Sequence, residues 1–328
     1  MVDLSTQYMG FHLKNPLIVA SSGLTKSIAK IQEFEEKGAA AVVLKSIFEE
    51  QIMMDVNNTL SFPDSYNVRP EAFDYVSELM TGNVVSEYIG LIREAKRAVS
   101  IPVFASINCV SLDEWVSIVK DIEKAGADAL ELNVFIMPNK LDISSEDHEK
   151  MYFDIIDKVT ASISIPVALK LGYYFSSLVH TIQRFSWTKI KGLVLFNRFF
   201  TPDINLETLK LQVANLFSTP AEQYIPLRWI ATLSDVVRCD LSASTGIHDG
   251  EAVIKQLLAG AKTTQLCSTI YLNGSDQIAK IREELIHWME KKHYSRIDDF
   301  RGLLSVKHTE NPVLYQRVQY MKHLSGTE

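Results

Sequence analysis

Two lysines and two asparagines end apolar segments of the chain, where they could bind an electron-rich ligand. Lys45 ends the run AVVLK, Lys170 ends PVALK, Asn133 ends LELN and Asn197 ends LVLFN. A charge that follows an apolar run is costly unless it is paired. Either lysine alone could simply reach solvent at the end of a strand. Together with the amides, the lysines predict a site for an anionic ligand rich in hydrogen-bond acceptors.

The turn STGIHDG (residues 244–250) and the segment CSTI, which begins at Cys267, could donate backbone N–H groups to a phosphate. Neighbouring turns after the last two strands form the usual phosphate site of α/β barrels. The alternative is an ordinary turn in which Asp249 caps the next helix. We interpret Cys267 as structural rather than nucleophilic. The combined prediction is a phosphate-bearing ligand with an acceptor-rich ring, which leaves a flavin and a sugar phosphate both open.

Repeated segments predict the strands that position these residues. GAAAVVLK, GADALELN and GAKTTQLC each lead from Gly-Ala through a mostly apolar run to a polar or reactive residue, and SIPVFASIN and SIPVALKLG share a second pattern. Short apolar runs are typical of parallel strands buried on both faces. Eight candidate strands lie near residues 16–20, 40–45, 101–107, 127–133, 165–171, 191–197, 239–244 and 263–268. An open doubly wound sheet is the alternative, but ASSGLTKS after the first strand lacks its glycine-rich turn.

Helical patterns alternate with most of these strands and predict a (β/α)₈ barrel. Ser27 could cap the first predicted helix, which covers residues 28–36. The other predicted helices cover residues 111–125, 145–161, 249–259 and 276–292. Two connections, 46–83 and 198–226, are too long for bare loops and follow strands, so both are candidate lids at the C-terminal face. VDLSTQYMGFHLKN predicts a hairpin that closes the other end. We expect one domain over residues 1–328.

The composition favours a soluble globular protein. The net charge of -7 argues against a nucleic-acid or acidic-membrane binder. No apolar run approaches the ~20 residues of a membrane span, and the N-terminus lacks a signal-peptide pattern. The three cysteines are widely spaced and odd in number, which disfavours disulfides and cysteine metal sites and fits a reducing cytoplasm. The strand ends carry no cluster of histidines or carboxylates, so we expect no metal.

The order of the motifs over nearly the whole chain resembles the dihydroorotate dehydrogenase family, in particular its soluble class 1 branch. The motifs are LKNPLIVASSG, VVLKS, ELN, LKL, TGI, QLCST and HYSRIDDFRGLL. The resemblance implies an FMN-containing (β/α)₈ barrel that oxidises dihydroorotate to orotate in pyrimidine synthesis. It also implies a homodimer.

The resemblance further implies a role for individual residues. Lys45 would lie beside both flavin and substrate, Asn133 would contact both, and Asn197 would contact the substrate. Lys170 would hold the electron-rich pyrimidine edge or the ribityl chain of the flavin. The remaining residues that would line the flavin or bind its phosphate are Ala20, Ser21, Gly23, Ser46, Thr245, Gly246, Cys267 and Ser268.

The loop LELNVFIMPNK departs from the family pattern. Family members read ELN, two residues, Cys or Ser, and then Pro-Asn, and that Cys or Ser is the base that removes a substrate proton. Here Met137 precedes Pro138-Asn139 and the loop is one residue longer. Methionine cannot act as a general base. We therefore expect weak activity on dihydroorotate, or activity on a different cyclic amide.

Two other hypotheses keep the barrel. Lys170 could form a Schiff base with a carbonyl substrate whose phosphate binds the last two turns. Alternatively, the protein could bind a flavin or nucleotide-like ligand without catalysis, as the missing base suggests. Among electron acceptors, both fumarate and NAD stay open.

Overall fold

A closed barrel of parallel strands forms the body of the protein in the computed structural model, which describes residues 2–48, 84–108, 115–199 and 201–316. In chain order the strands are β1 Thr6–Tyr8, β2 Phe11–Leu13, β3 Leu17–Val19, β4 Ala41–Val43, β5 Ile47–Phe48, β6 Val103–Asn108, β7 Ala129–Val134, β8 Val167–Leu171, β9 Gly192–Leu195, β10 Pro202–Asn205, β11 Lys210–Val213, β12 Asp240–Ser244 and β13 Thr263–Leu266.

The barrel closes in the order β3-β4-β6-β7-β8-β9-β12-β13, and β13 pairs back onto β3. Every one of these pairings is parallel. The predicted (β/α)₈ fold is therefore confirmed and the open sheet is ruled out. Because all eight strands point the same way, their last residues meet at one face, where the sequence placed its polar side chains.

The helices surround the barrel. They span Ile28–Glu36, Val84–Ala98, Trp115–Lys124, Ser145–Ser162, Leu178–Phe185, Tyr224–Leu233, Gly250–Ala259, Ser268–Asn273, Asp276–Lys291 and Val313–Gln316. The Ser27 hydroxyl accepts a hydrogen bond from the Lys30 N–H, as the sequence predicted. Asp249 caps the helix after the predicted phosphate turn through the Ala252 N–H at 2.8 Å. The first residues of the predicted helix 111–125, 111–114, lie outside the described residues.

The N-terminal hairpin β1–β2 closes the N-terminal end of the barrel, as predicted. Its Tyr8, Met9 and Leu13 are buried against inward-facing residues of the barrel strands, among them Phe104 and Val194. The Met9 N–H also donates to Asp240 Oδ2 at 2.7 Å. A packed apolar core therefore fills this end, and polar chemistry is confined to the opposite face.

The long connection 198–226, predicted from the sequence as a candidate lid without assigned elements, contains the antiparallel hairpin β10–β11. A 3₁₀ turn, Pro220–Gln223, then leads into the helix Tyr224–Leu233. The other candidate lid, 46–83, lies outside the described residues except for 46–48, where β5 pairs with β6. In the described part of the chain, no helix is both long and apolar enough to cross a bilayer.

Candidate active site

A cavity of about 460 Å³ opens at the C-terminal face of the barrel. Its size falls within the roughly 300–1,000 Å³ of small-molecule sites. Most residues predicted from the sequence to bind the ligand line it, and these are Ala20, Ser21, Gly23, Lys170, Asn197, Thr245, Gly246, Cys267 and Ser268. Strand ends that are far apart in the sequence therefore converge on one cavity.

Lys170 is held inside the barrel by two side chains that the sequence analysis did not single out. Its Nζ donates to Gln265 Oε1 at 3.0 Å and forms an ion pair with Glu131 Oε1 at 3.3 Å. Gln265 Nε2 in turn donates to Glu131 Oε2 at 2.5 Å. All three side chains are buried, and Lys170 and Gln265 line the cavity. The lysine therefore does not simply reach solvent.

Asn133 and Asn197 meet above the barrel. Asn197 Nδ2 donates to Asn133 Oδ1 at 3.1 Å, which joins the end of β7 to the residue beyond β9. Asn133 is buried, whereas Asn197 is partly exposed and lines the cavity. The pair leaves the Asn133 amide N–H₂ and the Asn197 carbonyl oxygen for other partners. Such a pair can match a ligand that carries both a donor and an acceptor, as a cyclic amide does.

Ser46 is connected to the cavity through a chain of hydroxyl groups. Ser21 Oγ, which lines the cavity, accepts from the Ser46 N–H at 2.9 Å and lies 3.1 Å from Ser46 Oγ. Ser46 Oγ is 2.7 Å from Ser106 Oγ, deeper in the barrel. Lys45 directly precedes Ser46 and is partly buried. These contacts fix the end of β4 beside the cavity wall.

The turn after β12 has an unusual backbone. Thr245 and Gly246 both have positive φ, 80° and 76°. This conformation is uncommon for a β-branched residue, and the Thr245 hydroxyl donates to the Phe196 carbonyl at 3.1 Å. A Cβ on Gly246 would lie 2.2 Å from the backbone N of Gln223. Glycine is therefore required at 246 for steric as well as conformational reasons.

Cys267 has the properties of a structural thiol. Burial raises the pKa of its thiol, and the nearby positive charge of Lys170 opposes that rise. A raised pKa leaves little of the thiolate, the reactive form, near neutral pH. The next residue, Ser268, accepts a hydrogen bond from the Ser218 N–H at 2.9 Å, which ties the 198–226 connection to the cavity.

Met137 does not line this cavity. Its side chain is 42% exposed and borders a neighbouring cavity of about 660 Å³ together with Phe135, Tyr174 and His148. The backbone before Met137 is held on both sides. The Ile136 N–H donates to the Tyr152 hydroxyl at 3.3 Å, and its carbonyl lies 2.8 Å from His148 Nε2.

Aromatic rings separate the two cavities. The Phe135 and Phe199 ring centroids are 4.5 Å apart, and Phe199 also packs on Tyr174 at 4.7 Å. Gly172, at the end of β8, permits this arrangement because a Cβ there would lie 2.3 Å from the Phe199 ring. An apolar wall therefore stands between Met137 and the cavity that Lys170 lines.

Arg198 is a further residue that the sequence analysis missed. Its Nε pairs with Glu222 Oε2 at 2.9 Å, and its Nη1 donates to the carbonyl oxygens of Asn215 and Leu216, each at 3.0 Å. Both carbonyls belong to the segment that covers one side of the cavity. The sequence signal for Arg198 was its position directly after Asn197. An arginine so close to a barrel strand is rarely buried without a partner.

Comparison with known proteins finds relatives of one family over most of the chain. The family model for dihydroorotate dehydrogenase matches residues 78–289. The catalytic subunit of dihydroorotate dehydrogenase B (NAD(+)) from Thermoplasma volcanium is 25% identical over 317 residues, covering 92% of this chain and 99% of the relative. Dihydroorotate dehydrogenase A (fumarate) from Limosilactobacillus reuteri is 27% identical over 281 residues, covering 80% and 86%. Dihydroorotate dehydrogenase (fumarate) from Saccharomyces mikatae is 22% identical, covering 92% and 98%.

Proposed function

The chain belongs to the dihydroorotate dehydrogenase family, and from this premise we propose that it is an FMN-dependent oxidoreductase acting on a CH–CH bond of dihydroorotate or a related cyclic amide. The observation that carries the proposal is the buried Lys170 in a cavity that also receives the turns after β12 and β13. A fixed positive charge beside an acceptor-rich ring is a means by which a protein tunes a flavin.

The residues of the cavity fit an FMN molecule. The Ser22 hydroxyl is buried in the cavity lining beside Cys267 and Tyr271 and makes no hydrogen bond of full geometry among the described residues, so a ligand oxygen or nitrogen could satisfy it. Gly246 lies in the cavity lining and keeps the turn after β12 close to Gln223. Backbone N–H groups in such a turn suit a phosphate. Thr245, Gly246, Cys267 and Ser268 would hold the phosphate, and Lys170 the ring or ribityl chain.

FMN, when bound, would act as the oxidant that takes up a hydride from one carbon of the substrate's CH–CH bond, while the other carbon loses a proton and a C=C bond forms. Lys45, Asn133 and Asn197 would bind and orient the substrate. The other requirement is removal of a proton, and Met137 supplies no basic atom for it. The exposed position of Met137, behind the wall of Phe135 and Phe199, agrees with a loop that has lost this role. The substrate proton would then leave to water.

The proposal is tested on the purified protein under anaerobic conditions. We expect a yellow protein that releases FMN on denaturation and whose bound flavin is bleached by dihydroorotate. Loss of a positioned base lowers a rate by about 10²–10⁴-fold, so bleaching should be slower by that factor than in a relative that has the base. A colourless protein that binds no added FMN would refute the proposal. Bleaching at the relative's rate would refute the assigned loss of the base.

The Schiff-base alternative has less support. Lys170 is in an ion pair and a hydrogen bond, whereas a nucleophilic lysine must present a neutral amine. Borohydride in the presence of candidate carbonyl substrates should therefore leave the mass of the peptide containing Lys170 unchanged.

We further propose that the connection 198–226 covers the cavity and also supports a homodimer. Ile204 pairs with Leu211 across the hairpin, and Pro202 pairs with Val213, so these side chains share one face. Ile204 and Leu211 are 57% and 78% exposed. An isolated two-stranded hairpin is marginally stable in water, and a contiguous apolar face favours a partner.

The hairpin assignment predicts the effect of charge on association. Replacing Leu211 by Asp should shift the sedimenting species from dimer to monomer, whereas Lys210→Asp, on the opposite polar face, should not. A wild-type monomer at all concentrations would contradict the dimer.

Cys239 and Cys267 are free thiols, which agrees with the cytoplasmic location that we also propose.

A further inference from the structure

Lys170 shares its charge with a buried carboxylate that the proposed reaction does not use. Glu131, on β7, is only 2% exposed, although an isolated charge at this depth would be strongly disfavoured. It is paired through Oε1 with Lys170 and through Oε2 with the Gln265 amide. Three strands, β7, β8 and β13, thus each contribute one side chain to a closed triangle of contacts.

The triangle lies between the apolar core at the N-terminal end of the barrel and the ligand cavity. Toward the N-terminal end, the interior is filled by apolar side chains such as Phe104, Ala129 and Ala168. Ala129 precedes Glu131 by two residues on the same face of β7, and Ala168 precedes Lys170 by two on β8. Toward the other end, Lys170 and Gln265 line the cavity. Glu131 therefore lies below the two side chains that would meet a ligand.

Both partners of Lys170 hold its ammonium group inside the barrel. Glu131 offers a full negative charge at 3.3 Å, and Gln265 offers a carbonyl oxygen at 3.0 Å. The Gln265 amide also donates to Glu131 at 2.5 Å, so it cannot turn over without losing both contacts. The lysine is consequently fixed in position, and its charge is partly compensated before any ligand binds.

We propose that Glu131, assisted by Gln265, is a positioning residue that attenuates the charge of Lys170 and thereby lowers the tendency of the bound flavin to become reduced. This inference rests on the proposed function, since it needs FMN in the cavity. A reduced flavin gains negative charge, which a nearby ammonium group stabilises and a carboxylate opposes. The Lys170–Glu131 pair therefore gives the bound flavin an intermediate midpoint potential. It is lower than beside a lysine without a carboxylate partner and higher than with no charge nearby.

Sulfite affinity tests the inference without any turnover. Sulfite adds an anion to the oxidised flavin, bleaches its absorbance, and binds more tightly where positive charge lies close by. In FMN-loaded Glu131→Gln, we expect the sulfite Kd to fall about tenfold and the flavin midpoint potential to rise, because the Lys170 ammonium group is no longer held and compensated by a carboxylate. Glu33→Gln, which neutralises a carboxylate on the outer helix Ile28–Glu36, should change the Kd less than twofold.

A Lys170→Met background shows whether Glu131 acts through Lys170 or directly on the flavin. Lys170→Met should weaken sulfite binding at least tenfold. In that background, Glu131→Gln should shift the Kd less than threefold, because the lysine through which Glu131 acts is gone. The double variant also removes both members of the buried pair, which spares the fold an unpaired charge. An undiminished tenfold shift in the double variant would contradict the assigned route.

Gln265→Leu provides a second test of the inference, which is needed if Glu131→Gln misfolds. Gln265→Leu keeps the ion pair but removes the second acceptor, so the sulfite Kd should fall about threefold. FMN-loaded Glu131→Gln or Gln265→Leu with the wild-type Kd and midpoint potential would overturn the inference while leaving the proposed function standing. A wild-type protein that binds no FMN, recognised by its missing visible absorbance, would overturn both.

Discussion

Asn197 Nδ2 donates a hydrogen bond to Asn133 Oδ1 at 3.1 Å, across the end of the strand that carries Lys170. Two amides from strands that are not neighbours are thus aligned side by side at the mouth of the barrel. Each amide fixes the orientation of the other, because an amide oxygen can only accept a hydrogen bond and an amide nitrogen can only donate one.

The asparagine pair should act as a unit. Replacing Asn197 or Asn133 by Ala should slow reduction of the bound flavin by dihydroorotate at least tenfold, since either change leaves the other amide unpaired and free to turn. The double variant should be little worse than either single one. Anaerobic stopped-flow absorbance measures these rates. Asn205→Ala, in the exposed hairpin, serves as the control, and an additive loss in the double variant would show that the two amides act independently.

Gly246 and Gly126 offer a pair of glycine substitutions for comparison. Both have positive φ, +76° and +97°, so Ala is strained at each, but a new Cβ at 246 would lie 2.2 Å from Gln223 N, whereas at 126 it would meet nothing within 4 Å. Gly126→Ala should cost about 1 kcal/mol in the free energy of unfolding. Gly246→Ala should cost several times more, or lose bound FMN. Thermal unfolding and flavin content measure both, and equal losses would contradict the steric argument.

Cys267 should react slowly with alkylating reagents. Burial raises the pKa of its thiol, so in FMN-free protein its rate of carboxamidomethylation should still be increasing with pH above 9. Lys170→Met should slow the reaction further, because the ammonium of Lys170 lowers this pKa. Peptide mass spectrometry assigns the modified residue. A rate that is already constant between pH 7 and 8 would indicate a thiolate and contradict the structural role.

Tyr152 should contribute to alkaline unfolding. Burial raises the pKa of its phenol to about 12, above the usual 10. The folded state therefore holds this proton more tightly than the unfolded state. Its contribution is fully present below pH 10 and is lost as the pH rises toward 12, by up to about 3 kcal/mol. Tyr152→Phe keeps the ring against Phe185 and should flatten this part of a denaturant-unfolding profile. An unchanged slope between pH 10 and 12 would refute the assignment.

The fold could be predicted from the sequence because its signal is local and repeated. Each apolar run occurs within one strand, three of the runs begin with Gly-Ala, and eight such strands leave few possible topologies. The convergence of Lys170, Asn197 and Thr245 on one cavity then follows, since parallel strands end at one face. The barrel geometry carried these residues to a common site without any information on side-chain contacts.

The contacts that hold Lys170 could not be predicted in the same way. Glu131 and Gln265 are 134 residues apart, and neither is the only polar residue of its strand, since β7 reads ALELNV and β13 reads TTQL. Strand pattern tells which face a residue occupies but not which of several inward neighbours it meets. Likewise, the spacing around Met137 locates the loop, whereas its packing depends on His148 and Tyr152, which belong to the following helix.

The closure of the barrel makes early strands depend on residues that are synthesised much later. Leu266 pairs with Val19, Met9 binds Asp240 from 231 positions further on, and Arg301 reaches Thr6 across 295 positions. Contacts of such sequence separation form slowly. Until they form, the edge of β3 that pairs with β13 and the apolar face of the N-terminal hairpin lack their partners. Nascent chains that end before β13 should therefore depend most on chaperones.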